Sequence, residues 1–101
     1  MRLGERDRQA IVGAVREVFG PDARTYLFGS RADDTKFGGD IDLLVESEEL
    51  GGESMAAAIR VATLIKLRIG DRKVDVVLTD KSPPREAELI VRNAREQGVL
   101  L

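Results

Sequence analysis

Three aspartates stand where strands normally carry apolar residues. Asp40 and Asp42 begin the strand pattern IDLLVE at Ile41–Glu46, and Asp75 lies inside a second pattern, KVDVVLT at residues 73–79. Aspartate is depleted in strands, so these positions invite a chemical explanation. The chain has no histidine and no cysteine. Any catalysis must therefore rest on carboxylates, hydroxyls, lysine, arginine, tyrosine and bound ions, and the aspartates are candidates for cation binding and proton transfer.

Strand geometry predicts that the first two aspartates act as a pair. Residues two apart share a face of a strand, about 6.6 Å from each other. Two unit charges at that distance repel by about 2–3 kcal/mol at an effective dielectric of 20. A divalent cation between Asp40 and Asp42 would reverse the sign, and Mg²⁺ favours carboxylate and phosphate oxygens. The opposite face carries the apolar residues Ile41, Leu43 and Val45, which are expected in the core.

Simpler structural roles are open for two of these carboxylates. Asp40 follows Gly38-Gly39 and suits a turn, whereas Asp75 suits a buried ion pair with arginine or lysine. Asp42 fits neither role well, because apolar residues flank it on both sides. An EF-hand is excluded, since residues 43–45 are apolar where that loop needs polar ligands and a glycine.

A Gly-Ser pair follows the short strand predicted at residues 25–28. Glycine lets phosphate oxygens approach the backbone, the Ser30 hydroxyl adds a donor, and exposed N–H groups in such a bend bind anions. Taken alone, Gly29-Ser30 is equally an ordinary turn. It is not a Walker loop, because no Gly-Lys-Ser/Thr follows it.

Apolar spacing and turn residues predict the elements that must position these groups. In chain order these are a helix at Glu5–Phe19, strands at residues 25–28 and 41–46, a helix at 53–69, a strand at 73–79, and a last helix opened by Ser82-Pro83-Pro84 and closed by Gly98. A short helical turn is also expected at the start of residues 32–39. The order predicts one α/β (α+β) domain over residues 1–101, with a small mixed sheet of at least three strands and about four helices.

Composition narrows the classes of function. The net charge of −2, from 16 basic and 18 acidic residues, argues against direct nucleic-acid binding through bulk electrostatics. The absence of cysteine and histidine excludes disulfides, thiolate metal sites and Ser-His mechanisms. Neither a membrane span nor a signal-peptide core is evident, so a soluble cytoplasmic domain without membrane partners is expected.

Taken together, two motifs resemble the signature of the DNA-polymerase-β-like nucleotidyltransferases. They are FGSRA at residues 28–32 and GDIDLLV at residues 39–45, and the closest likeness is to the minimal nucleotidyltransferase (MNT) family. KVDVV at residues 73–77 resembles that family's third-carboxylate strand, and AREQG at residues 94–98 its closing helix. Asp33-Asp34 and Gly39 depart from the family loop, which often has Arg-Gly and serine there.

The resemblance implies a polymerase-β-palm-like fold and a Mg²⁺-dependent enzyme. A hydroxyl would attack the α-phosphorus of a nucleoside triphosphate, with ATP as the expected substrate, and pyrophosphate would leave. Asp40, Asp42 and Asp75 become the catalytic residues. Asp40 and Asp42 would bridge two Mg²⁺ ions, and Asp75 would hold the ion nearer the nucleophile and accept its proton.

The same resemblance assigns the Gly-Ser bend to the nucleotide. Gly29 and Ser30 would hold the β- and γ-phosphates. Arg31 would act as an additional charge clamp, although a solvated surface role is equally open to it.

The acceptor is expected on a partner protein. Larger relatives carry added domains for tRNA, primers or antibiotics, and 101 residues are expected to leave no room for one. MNT proteins are typically encoded beside a HEPN-domain protein, so the resemblance implies an antitoxin that transfers AMP to a tyrosine hydroxyl of a HEPN toxin. Two alternatives are a non-catalytic antitoxin that neutralises the partner by occlusion and a small-molecule transferase of the aminoglycoside type. The acceptor, the nucleotide and the homo- or hetero-oligomeric state are left open.

Overall fold

In the part of the chain that the structure describes, seven regular elements are arranged around one sheet. The computed structural model describes residues 3–29, 40–47, 54–70, 73–80, 85 and 88–101. In chain order the elements are α1 (Glu5–Phe19), β1 (Arg24–Phe28), β2 (Ile41–Glu46), α2 (Ser54–Ile69), β3 (Val74–Thr79), α3 (Glu88–Gln97) and β4 (Val99–Leu100).

The sheet is mixed, with the strand order β3-β2-β1-β4. β1 runs antiparallel to both of its neighbours, β2 and β4, whereas β2 and β3 are parallel. A parallel pair cannot be joined by a tight hairpin, and α2 supplies the crossover between β2 and β3. The predicted α/β architecture with a mixed sheet of at least three strands is confirmed.

The two faces of the sheet are covered by different helices. α1 and α2 cover one face, where Leu27, Leu43 and Val45 are fully buried. α3 covers the other face, where Val91 packs with the fully buried Leu44. Because side chains alternate along a strand, the even-numbered residues of β2 lie on the α3 side. The prediction that Ile41, Leu43 and Val45 enter the core is confirmed, since all three are fully buried.

The strand β4 has no counterpart among the predicted elements. It contains two residues, too few for an alternating pattern to be visible in the sequence. Long-range pairing creates it: Leu27 is the partner of Val99, and the N–H of Leu101 donates to the carbonyl of Thr25 at 2.8 Å. The residue preferences of this segment alone therefore do not predict the strand.

The prediction is most accurate for the helix whose end is marked by a residue next to it in the sequence. α1 has the predicted bounds and ends at Gly20, whose φ of 95° is a left-handed value that glycine adopts readily. The last helix begins at Glu88, later than Ser82-Pro83-Pro84 suggested, and residues 81–84 lie outside the described ones. The described residues hold three helices rather than about four, and the turn expected in residues 32–39 also lies outside them.

Candidate active site

The parallel register of β2 and β3 brings two of the predicted site residues together. Asp42 and Asp75 are direct partners in that register, and Phe28 of β1 is the partner of Asp42 on its other side. Two residues further along, Leu44 and Val77 are paired in the same way and pack under α3. The aspartates therefore lie on the α3 side of the sheet, where β2 and β3 begin and β1 ends.

Asp40 joins this pair through a lysine that the sequence motifs did not single out. The Nζ of Lys73 lies 3.8 Å from Oδ2 of Asp40 and 4.0 Å from Oδ2 of Asp75. The side chains of both aspartates are 53% exposed. The ion pair considered for Asp75 therefore exists, but it is exposed to solvent and not buried.

The half-buried carboxyl of Asp42 is held in a surplus of negative charge. Burial raises its pKa above the ordinary value, and the charges of Asp75 and Asp40 raise it further. A hydrogen bond with Asp75 also favours the protonated form, whereas the ammonium of Lys73 acts in the opposite direction. The sheet thus places Asp75 and Asp40 close enough to Asp42 to disfavour ionisation of its carboxyl.

Gly29 lies directly against the carboxylate of Asp42. A Cβ built on Gly29 would overlap Oδ2 of Asp42 and would lie 3.3 Å from its Cγ. The φ of Gly29 is 74°, a left-handed value that disfavours other residues. The predicted phosphate bend therefore begins next to the acidic residues. Ser30 and Arg31 lie outside the described residues, so their roles stay predictions.

The residues fit Mg²⁺ in donor type and in charge. All the donors are carboxylate oxygens, Asp75 and Asp40 bring negative charge close to Asp42, and the ammonium of Lys73 supplies a partial counter-charge. Among the residues that the structure describes, no three acidic side chains already form a cluster that could hold a metal ion. Asp40, Asp42 and Asp75 would have to turn toward one another for all three to hold the same ion.

Lys73 is the member of this site that sequence reasoning missed. Its position two residues before Asp75 was an available signal, because residues two apart share a strand face. Its proximity to Asp40 was not available, because that depends on the pairing between β2 and β3. The N–H of Ile41 donates to the carbonyl of Lys73 at 2.9 Å and so fixes the two chain segments side by side.

Comparison with known proteins gives a family match that covers nearly the whole chain. Residues 8–101 match the family model described as a nucleotidyltransferase domain. The matched region runs from within α1 to the end of the chain and includes all three aspartates and the Gly29 bend. A comparison with curated proteins finds no significant match. In the parts of the chain that are described, every helix is too short or too polar to cross a membrane.

Proposed function

Because the chain belongs to the nucleotidyltransferase-domain family, we propose that it is a Mg²⁺-dependent enzyme that transfers AMP from ATP to a hydroxyl group. One observation carries the proposal. Asp42 and Asp75 are neighbours in the parallel register, and Gly29 lies against the carboxylate of Asp42. This combination supports a site in which acidic metal ligands and a phosphate-binding bend meet at one end of these strands.

Each aspartate has its own role in the proposed transfer. Asp40 and Asp42 would hold the ions from the start of β2, and Asp75 would hold them from β3. Bound Mg²⁺ would supply positive charge that stabilises the attacking and departing oxygens. Asp75 accepts the proton of the acceptor hydroxyl while the new oxygen–phosphorus bond forms. The bond to pyrophosphate breaks, and pyrophosphate leaves with the electron pair.

The Gly29 bend acts on the triphosphate. Its lack of a side chain leaves room for both the Asp42 carboxylate and an approaching phosphate. Ser30 would add a hydroxyl donor to the β- and γ-phosphates, and Arg31 would add a charge clamp.

We further propose that the acceptor is a tyrosine of a HEPN-domain toxin, for which this protein is the antitoxin. Support comes from the MNT-like motifs at residues 28–32 and 39–45, and from an apolar stripe on the outside of α2. Met55, Ile59 and Leu67 lie on one side of that helix and are 79%, 62% and 78% exposed. Exposed apolar patches are a common mark of protein–protein contact.

Transfer of radiolabel tests the enzymatic proposal. Incubation with the HEPN partner, Mg²⁺ and ATP labelled at the α-phosphate is expected to move label onto a partner tyrosine, identified by mass spectrometry. Chelation with EDTA is expected to stop the transfer, because the carboxylates then lose their ions. Label on neither protein with any of the four nucleoside triphosphates would refute the proposal. Turnover on small aminoglycosides without a partner would favour the small-molecule alternative.

The exposed α2 stripe also favours the alternative of neutralisation by occlusion. Leu67→Glu is expected to weaken binding to the partner by at least about tenfold, because a charge would then be buried at the interface. Leu100→Glu is the matched control, since Leu100 is 58% exposed but lies on β4, at the far side of the sheet from β2 and β3. Titration calorimetry measures the affinity of each variant for the partner. Equal affinities for the two variants would show that α2 is not part of the interface.

Substitution of the aspartates distinguishes the enzymatic antitoxin hypothesis from the occlusion hypothesis. Under occlusion, the double variant Asp40→Asn/Asp42→Asn still neutralises the toxin in a growth assay. Under the enzymatic proposal it binds the partner normally but no longer restores growth.

A further inference from the structure

Lys73 occupies a defined position beside the acidic site. Its carbonyl accepts the N–H of Ile41 at 2.9 Å, which ties its backbone to the start of β2 next to Asp40. Its side chain shares the strand face of Asp75, two residues along. The backbone thus places the lysine beside Asp40 and on the strand face of Asp75, within reach of both carboxylates.

The contacts of Lys73 are electrostatic and easily broken. Its Nζ lies 3.8 Å from Asp40 and 4.0 Å from Asp75, beyond the usual hydrogen-bonding distance. The lysine side chain is 67% exposed. Exposed pairs of this kind are weak, so another cation can displace the ammonium from these oxygens.

A divalent ion would use the same oxygens. Mg²⁺ lies about 2.0–2.1 Å from its ligands. An ion bound by Asp40 and Asp75 would therefore be within a few ångströms of the ammonium, and the two positive charges would repel each other. Lys73 must move away whenever the ion binds.

We propose that Lys73 is a positioning residue that competes with divalent cations for Asp40 and Asp75. In the absence of nucleotide it neutralises part of the acidic charge and weakens metal binding. The phosphates of an incoming triphosphate offer its ammonium a new partner, so nucleotide binding relieves the competition and couples metal loading to substrate. This inference rests on the proposed function, because it requires the aspartates to be metal ligands.

The test is a titration with Mn²⁺ alone, with free ion counted by electron paramagnetic resonance. Lys73→Met is expected to bind Mn²⁺ about tenfold more tightly than the unmodified protein, because one positive charge a few ångströms away is removed. Lys73→Arg keeps the charge and is expected to restore weak binding, a recovery that a purely structural role would not produce. Thermal unfolding checks that all three proteins are folded.

The outcomes are distinguishable. Unchanged or weaker binding in Lys73→Met, with measurable binding in the unmodified protein, overturns the role of Lys73 and leaves the metal site intact. No Mn²⁺ binding by any of the three proteins overturns both the role of Lys73 and the proposed metal site.

Discussion

Asp42→Asn is expected to reduce nucleotidyl transfer at least about 10³-fold while making the metal-free protein harder to unfold. Loss of an ion ligand removes several kcal/mol of transition-state stabilisation, and each 1.36 kcal/mol is about tenfold in rate. The gain in stability has a separate cause. Asparagine keeps the shape of the side chain but removes a half-buried charge that Asp75 and Asp40 disfavour. The measurements are label transfer with Mg²⁺ and thermal unfolding in EDTA.

The stability gain is expected to depend on pH with a definite sign. The pKa of Asp42 is raised in the folded chain, so the folded protein holds that proton more tightly than the unfolded chain does. Its stabilising contribution is complete below the ordinary value of 3.8 and is lost as the pH rises through the raised folded value. The difference in Tm between Asp42→Asn and the unmodified protein should therefore be smallest near pH 3.5 and largest near pH 7.

The size of that difference is limited by solvent. Screening at a half-exposed carboxyl keeps the effect below about 1 kcal/mol, which corresponds to a few degrees in Tm for a domain of this size. Asp22→Asn is the control, because Asp22 is an exposed turn residue; it should alter neither activity nor the pH profile. Retention of a tenth of the transfer activity by Asp42→Asn, or a lower Tm in EDTA, would contradict the assignment of Asp42.

Gly29→Ala is expected to damage stability and activity together. A non-glycine residue at a φ of 74° costs about 1–2 kcal/mol. The new methyl group would also overlap Oδ2 of Asp42 and force that carboxylate aside, at a small further cost because the carboxylate is the end of a side chain that can rotate. We expect Tm to fall by about 4–15 °C and, if the displaced carboxylate is the ion ligand proposed above, transfer to fall by at least about tenfold.

Two controls distinguish the effect of the backbone conformation at Gly29 from the effect of its contact with the Asp42 carboxylate. Gly20→Ala is a control for an alanine at a positive φ, here 95°, where a Cβ meets nothing within 4 Å. It should leave transfer unchanged. In an Asp42→Ala background the cost of Gly29→Ala should fall, because the carboxylate that the methyl group meets is absent. Equal costs in both backgrounds would mean that the carboxylate of Asp42 is not what Gly29 accommodates.

Local sequence patterns were sufficient for most of the elements and for the orientation of Asp42. Helix α1 has the predicted bounds because its apolar stripe and the glycine at its end are contained within one segment. Residue alternation predicted that Leu43 and Val45 are buried and that Asp42 faces the other way, and the structure agrees. Such properties follow from the periodicity of a single element, which neighbouring parts of the chain rarely override.

The assembly of the site is a different matter, because it depends on how separate strands align. A shift of one residue between β2 and β3 would turn Asp75 to the opposite face from Asp42. The observed register makes them partners and sets Lys73 beside Asp40. That register results from packing of the whole sheet against α1, α2 and α3, which no single segment encodes. The sequence alone thus identified the carboxylates as candidate site residues. Only the pairing of β2 with β3 brings Asp42 and Asp75 side by side at the start of these strands.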